Sequence, residues 1–148
     1  MFRFETEVDK DRRTLLGERL HASNERRSPQ LRALAGTRHE DEVPLQVWAL
    51  DEESGDLAAG LTGRTWARWL HIDLLWVDER HRGAGLGSQL LTAAEREARI
   101  GRGCTHARLE TWDFQAPRFY ARHGYGVVGQ VPDYPPGVTE FILAKKLG

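Results

Sequence analysis

Cysteine is nearly missing from this chain of 148 residues: Cys104 stands alone. A lone cysteine rules out an internal disulfide and, with no C-x-x-C pair, any cysteine-built zinc site. The six histidines show no metal-ligand spacing, so no metal is expected. Neither sign of charge dominates, with 21 Lys and Arg against 22 Asp and Glu, which argues against generic attraction to nucleic acid or membrane surfaces. No apolar run is long enough to span a bilayer, and Met1-Phe2-Arg3-Phe4-Glu5 lacks the apolar stretch of a signal peptide. Repeats and low-complexity tracts are also absent. The expectation is a soluble, cytoplasmic protein in which residues 1–148 form one domain, with no nucleic-acid or membrane partner.

What is present alternates between the two secondary-structure periods. Phe2 to Val8 reads as a weak first strand, and Asp9 to Arg27 as a surface helix carrying Leu15, Leu16 and Leu20. Ser28-Pro29 caps and opens a short second helix that Gly36 stops. Three strands follow, Leu45 to Leu50, Leu57 to Thr65 and Trp69 to Val77, joined by turns at Ser54-Gly55-Asp56 and Ala67-Arg68. A helix from Leu86 to about Arg99, a strand from Cys104 to Thr111, a helix from Phe114 to Arg122, and strands at 126–129 and 138–143 complete the order. A strand–helix–strand crossover permits parallel pairing between the fourth and fifth of these strands.

The most informative stretch joins the fourth strand to its helix: Val77-Asp78-Glu79-Arg80-His81-Arg82-Gly83-Ala84-Gly85-Leu86-Gly87-Ser88. A glycine-rich turn entering a helix presents unpaired N–H groups and the positive end of the helix dipole, which together suit a phosphate. The dinucleotide fingerprint G-x-G-x-x-G fails here, because its third glycine position holds Ser88. Arg82-Gly83-Ala84-Gly85-Leu86-Gly87 instead fits R/Q-x-x-G-x-G/A. Downstream, Ala116-Pro117-Arg118-Phe119-Tyr120-Ala121-Arg122-His123-Gly124-Tyr125 fits A-x-x-F-Y-x-x-x-G-F/Y.

With both segments in order, Leu70 to Tyr125 resembles the GNAT N-acetyltransferases. The resemblance implies a mixed α/β fold: a central sheet of about seven strands flanked by about four helices, splayed at strands 4 and 5. It implies acetyl-CoA as co-substrate, an amine of a small molecule or peptide as acceptor, and a possible homodimer. The backbone of Leu75, Trp76 and Val77 would meet pantetheine as a neighbouring strand would. The amides of Arg82, Gly83, Ala84, Gly85, Leu86, Gly87 and Ser88 would hold the pyrophosphate, with the Arg80 and Arg82 side chains within reach of phosphates. Asp113, where the family often has asparagine seven residues before the tyrosine, Pro117 and Phe119 fall in the segment that borders the cofactor. Tyr120 resembles the tyrosine that protonates the departing thiolate.

A base must also free the amine. Strict alternation puts His71, Asp73, Leu75 and Val77 on one face of the strand, and Ile72, Leu74 and Trp76 on the other. Asp73 is the preferred base, His71 the second, and water the third. Trp66, Trp69 and Tyr134, with the first helices, would wall the acceptor. Two competing readings are a non-catalytic acyl-CoA sensor, indifferent to loss of Tyr120, and a small nucleotide-binding oxidoreductase, with Glu110 placed to hold a ribose.

Overall fold

The first helix begins where a carboxylate can cap it. In the computed structural model, which describes all 148 residues, Asp9 accepts from the Arg12 amide at 2.9 Å and opens α1, Lys10–Arg27. Ser28 then closes α1 with its own amide and caps α2, Pro29–Arg32, through its hydroxyl. These elements belong to a compact unit, Met1–Thr37, distinct from a second unit, Arg38–Gly148. No helix is long and apolar enough to cross a membrane.

Phe2 to Val8 does not form the expected strand. A strand exists through its ladder, and these residues pair with none; Phe2, Phe4 and Val8 are exposed. The sheet therefore has six strands where about seven were expected: β1 (Val43–Leu50), β2 (Leu57–Trp66), β3 (Trp69–Val77), β4 (His106–Trp112), β5 (Gly126–Val131) and β6 (Glu140–Lys146). Their order is β1-β2-β3-β4-β6-β5, antiparallel except for the β3–β4 pair. The route between those two runs through α3 (Leu86–Arg96), which continues as one π turn to Gly101.

α3 lies against β1, β2 and β3 and supplies Leu90, Leu91 and Ala94 to the core, and the π turn adds Ala98. Leu61, Leu70, Ile72, Leu109 and Leu143 meet them from the sheet. The helix expected from Phe114 starts only at Pro117, as α4 (Pro117–Arg122). Proline disfavours helical backbone in the residue before it, and Ala116 sits at φ −141° accordingly. Gln115 meanwhile folds back to accept from the Trp112 amide at 2.8 Å.

The strand alternation expected along β3 fails at Asp73. In the register Thr62 faces Leu74 and Gly63 faces Ile72, which leaves Asp73 as an extra residue on β3. Such a bulge shifts the side-chain phase by one. Leu70 and Ile72 face the core before it, whereas Leu75 and Val77 pack against the core after it and Leu74 and Trp76 are exposed. His71 and Leu75 thus lie on opposite faces.

Gly63 permits that bulge, because a Cβ there would sit 2.5 Å from the His71 carbonyl oxygen and 3.2 Å from the Ile72 Cα. Gly60 is crowded only by the half-exposed Trp48 ring, at 2.7 Å. Backbone cannot swing away as a surface ring can. Gly63→Ala is expected to cost about 1–3 kcal/mol and Gly60→Ala clearly less, checked by urea unfolding of the two variants side by side.

Candidate active site

β3 and β4 pair only from Trp69 with His106 to Ile72 with Leu109. Beyond that point they part, and the β3 edge from Asp73 to Val77 has no strand on its β4 side. The parting opens a cleft of about 340 Å³ lined by Asp73, Leu75, Trp76, Glu110, Gln115 and Tyr120, among others. At the end of β3 the glycine loop turns into α3. Gly83 and Gly85 hold φ of 84° and 80°, and Gly85 is the N-cap residue of a helix with no side-chain cap. The amides of Gly83 through Ser88 donate to no protein acceptor. Consecutive free N–H groups at a helix start make an anion site. Gly87 serves packing instead: a Cβ would lie 3.4 Å from the Phe119 ring and 3.7 Å from Val77.

The arginines of this loop are more occupied than their positions suggest. Arg80 folds onto Asp78, with Nε and Nη2 at 3.1 and 3.0 Å from its two oxygens. That bond holds the Asp78 carboxyl at about 2. Arg82 donates from Nε to the Val77 carbonyl at 3.2 Å, which ties the loop to the strand end. Ser88 Oγ lies 2.9 Å from His123 Nε2 on the far end of α4.

α4 carries Tyr120 into the core, 7% exposed, edge-on to Phe119 and Tyr125. Burial pushes its pKa up to about 12, so the phenol keeps its proton at neutral pH. Tyr125 fixes the helix from behind by donating to Glu95 of α3 at 2.7 Å, beside Lys145 at 2.7 Å from the other carboxylate oxygen. Pro117 opens α4 without needing an N–H partner. Asp113 stays outside the cleft lining: its carboxylate accepts from the Thr139 amide at 3.0 Å and joins β4 to the start of β6.

On the face away from the core, a charged network crosses three strands. Arg64 of β2 reaches Asp73 through Nη1 at 2.5 Å, His71 Nδ1 through Nη2 at 3.0 Å, and Glu42 through Nε at 3.4 Å. Because a guanidinium only donates, His71 Nδ1 must accept, and its proton sits on Nε2, 2.8 Å from Glu110. Arg108 bonds the other Glu110 oxygen at 3.0 Å. Burial alone would raise the Glu110 pKa, but the bonds from His71 and Arg108 prevail and lower it. Its contribution to stability is therefore complete above about 4.5, its ordinary value, and is lost as pH falls through the lowered one. Thermal melts of wild type and Glu110→Gln are expected to differ most near neutrality and to converge on acidification.

A second cavity, of about 530 Å³, adjoins this network and is lined by Glu42, Arg64, Trp66, Trp69, His71 and Arg108 among others. Its tryptophans are fixed: Trp66 donates to the Glu40 carbonyl at 3.0 Å, and Trp69 stacks on His106 at 4.7 Å. Tyr134 lies apart, half exposed between β5 and β6, and lines neither cavity. The sequence reading passed over Arg64 and Arg108 and read Glu110 only as a ribose ligand. Part of the signal lies in the sequence, since Arg108 and Glu110 share a face by alternation; the β3–β4 register that sets His71 beside Arg108 does not.

The family model described as the acetyltransferase (GNAT) family matches residues 10–125. The chain belongs to the GNAT acetyltransferase family. This acetyltransferase is 52% identical over 131 residues to blasticidin-S acetyltransferase of Streptomyces morookaense, an alignment covering 87% of this chain and 96% of that one. A crystal structure of an acetyltransferase from Bacillus cereus matches with a TM-score of 0.83 at 31% identity, over 98% of each chain. Nourseothricin acetyltransferase matches with a TM-score of 0.62 at 27% identity, over 71% of this chain and 66% of that one. As a GNAT enzyme with the splayed mixed sheet, the chain is an acetyltransferase, which sets aside the sensor and oxidoreductase readings.

Proposed function

We propose that this acetyltransferase moves the acetyl group of acetyl-CoA to an amine of a small molecule, blasticidin S foremost, by direct attack with both substrates bound. The observation that carries the reading is one cleft where β3 and β4 part, with an unpaired strand edge along its wall, Tyr120, Asp73 and Glu110 in its lining, and a loop of free amides following the same strand. Blasticidin S comes from the relative that aligns over nearly its whole length. The donor fits the residues present. The amides of Gly83 to Ser88 suit a pyrophosphate, and the edge of Leu75 to Val77 suits the amides of an extended arm.

Acetyl-CoA, when bound, supplies an acyl carbon on a sulfur leaving group. Tyr120 gives the proton from its hydroxyl to that sulfur as it departs; burial keeps the phenol neutral, so the proton is there to give. Asp73 takes the ammonium proton at Oδ2, the oxygen that Arg64 leaves unbonded; as the C–N bond forms and the C–S bond breaks, the second proton lost by nitrogen replaces the one that Tyr120 gave to sulfur. His71 has both ring nitrogens engaged and no lone pair for the substrate, so it acts as a positioning residue for Glu110. Glu110 and Asp73, both lining the cleft, draw the cationic amine in.

The test is thiol release from acetyl-CoA with blasticidin S as acceptor, followed by mass analysis of the product. A gain of one acetyl group on an amine is expected. Binding of acetyl-CoA without thiol release across blasticidin S and other amines would overturn the reading.

A further inference from the structure

We propose that Arg108 anchors a carboxylate carried by the acceptor, so that the acceptor is an amine with an anionic group at its far end, held between Trp66 and Trp69. This inference rests on the acetyl-transfer reading above. Two guanidinium groups line the 530 Å³ cavity, and they differ in what they have left to bind. All three nitrogens of Arg64 are taken, by Glu42, Asp73 and His71. Arg108 has a protein partner only at Nη2, and its Nε is buried with no partner at all. That Nε lies out of a ligand's reach, but Nη1 also has no protein partner and is not buried, so it is the nitrogen of Arg108 that a ligand can reach. Its side chain is 43% exposed, so it remains open to the cavity.

A carboxylate is the chemistry that fits. Two oxygens in a plane match two guanidinium N–H groups, and that match is lost on esterification. The polarity of the site gives the guest its direction. Arg108 and Glu110 are bonded neighbours, yet Arg108 lines the tryptophan cavity whereas Glu110 lines the cleft with Tyr120. An ammonium drawn toward Glu110 and Asp73 therefore leaves the rest of the molecule to run past Arg108. The two ring systems, each fixed by its own bond or stack, wall a flat or alkyl spacer.

The probes are a series of ω-amino acids of increasing length and 4-(aminomethyl)benzoate, each paired with its methyl ester. Thiol release gives kcat and KM, and calorimetry gives Kd. At least one acid is expected to exceed its ester by about 10–100-fold in kcat/KM, chiefly through KM, and in Kd. Arg108→Gln is expected to bring that ratio close to one, and Arg108→Lys to recover part of it. Because each ratio is taken within one protein, general damage to the fold cancels. Equal treatment of every acid and ester by the wild type, or a preference that survives Arg108→Gln, would overturn the anchor. Preferential acid binding without thiol release from any amine would uphold the anchor and overturn acetyl transfer.

Discussion

Tyr120→Phe is expected to lower kcat by about 10²–10⁴-fold while leaving the KM for acetyl-CoA near the wild-type value. The phenol is buried in an apolar wall, and it lines the cleft that also holds Asp73 and Glu110. Its ring already packs against Phe119 and Tyr125, so phenylalanine preserves those contacts. The hydroxyl makes no hydrogen bond within the protein, and its removal leaves no partner unsatisfied. The variant should therefore melt close to wild type. Steady-state kinetics with acetyl-CoA varied at saturating acceptor separates the two parameters. The acid's role also predicts how leaving groups matter: a thioester whose thiol is more acidic needs the proton less, so the deficit of Tyr120→Phe should shrink with such a donor. A deficit equal for all thioesters would show that Tyr120 only shapes the cleft.

Most of the element order was legible from periodicity, because α3 and β1 to β4 each bury a face whose pattern the residues carry. Leu90, Leu91, Ala94 and Ala98 fall at helical spacing and are all buried. What escaped was set by pairing across the chain. Residues 2–8 alternate well enough for a strand, but no neighbour completes their ladder. The bulge at Asp73 is invisible in β3 itself, whose residues read as an unbroken strand; it arises from the register with β2 and the room that Gly63 leaves. The same applies to the site. The glycine loop and the Tyr120 segment are local motifs and could be read directly, whereas the network of Glu42, Arg64, His71, Asp73 and Glu110 joins residues far apart in sequence. Arg80 shows another limit of local reading: a charge whose position suits phosphate is also bonded to Asp78 two residues earlier, a pairing that the spacing allows but does not reveal.

The second large effect should fall on the donor and spare the chemistry. Gly85→Val places a β-branched side chain at φ 80°, where even a simple L-residue costs about 1–2 kcal/mol. Nothing crowds the position, since a Cβ would meet only the Gln89 side chain at 3.8 Å, so the penalty is conformational. The loop would relieve it by rotating the peptides around residue 85, and that rotation turns away the amides that stand free from Gly83 to Ser88. Tyr120, Asp73 and Glu110 sit on other elements and keep their places. The KM and Kd for acetyl-CoA are accordingly expected to rise about 10–100-fold, with kcat at saturation changed little. A shortened donor that keeps the thioester and pantetheine but lacks the pyrophosphate should be used equally by wild type and variant. If the variant were as impaired with that donor as with acetyl-CoA, the loop would be acting on the reacting end of the cleft, and its part in holding phosphate would have to be given up.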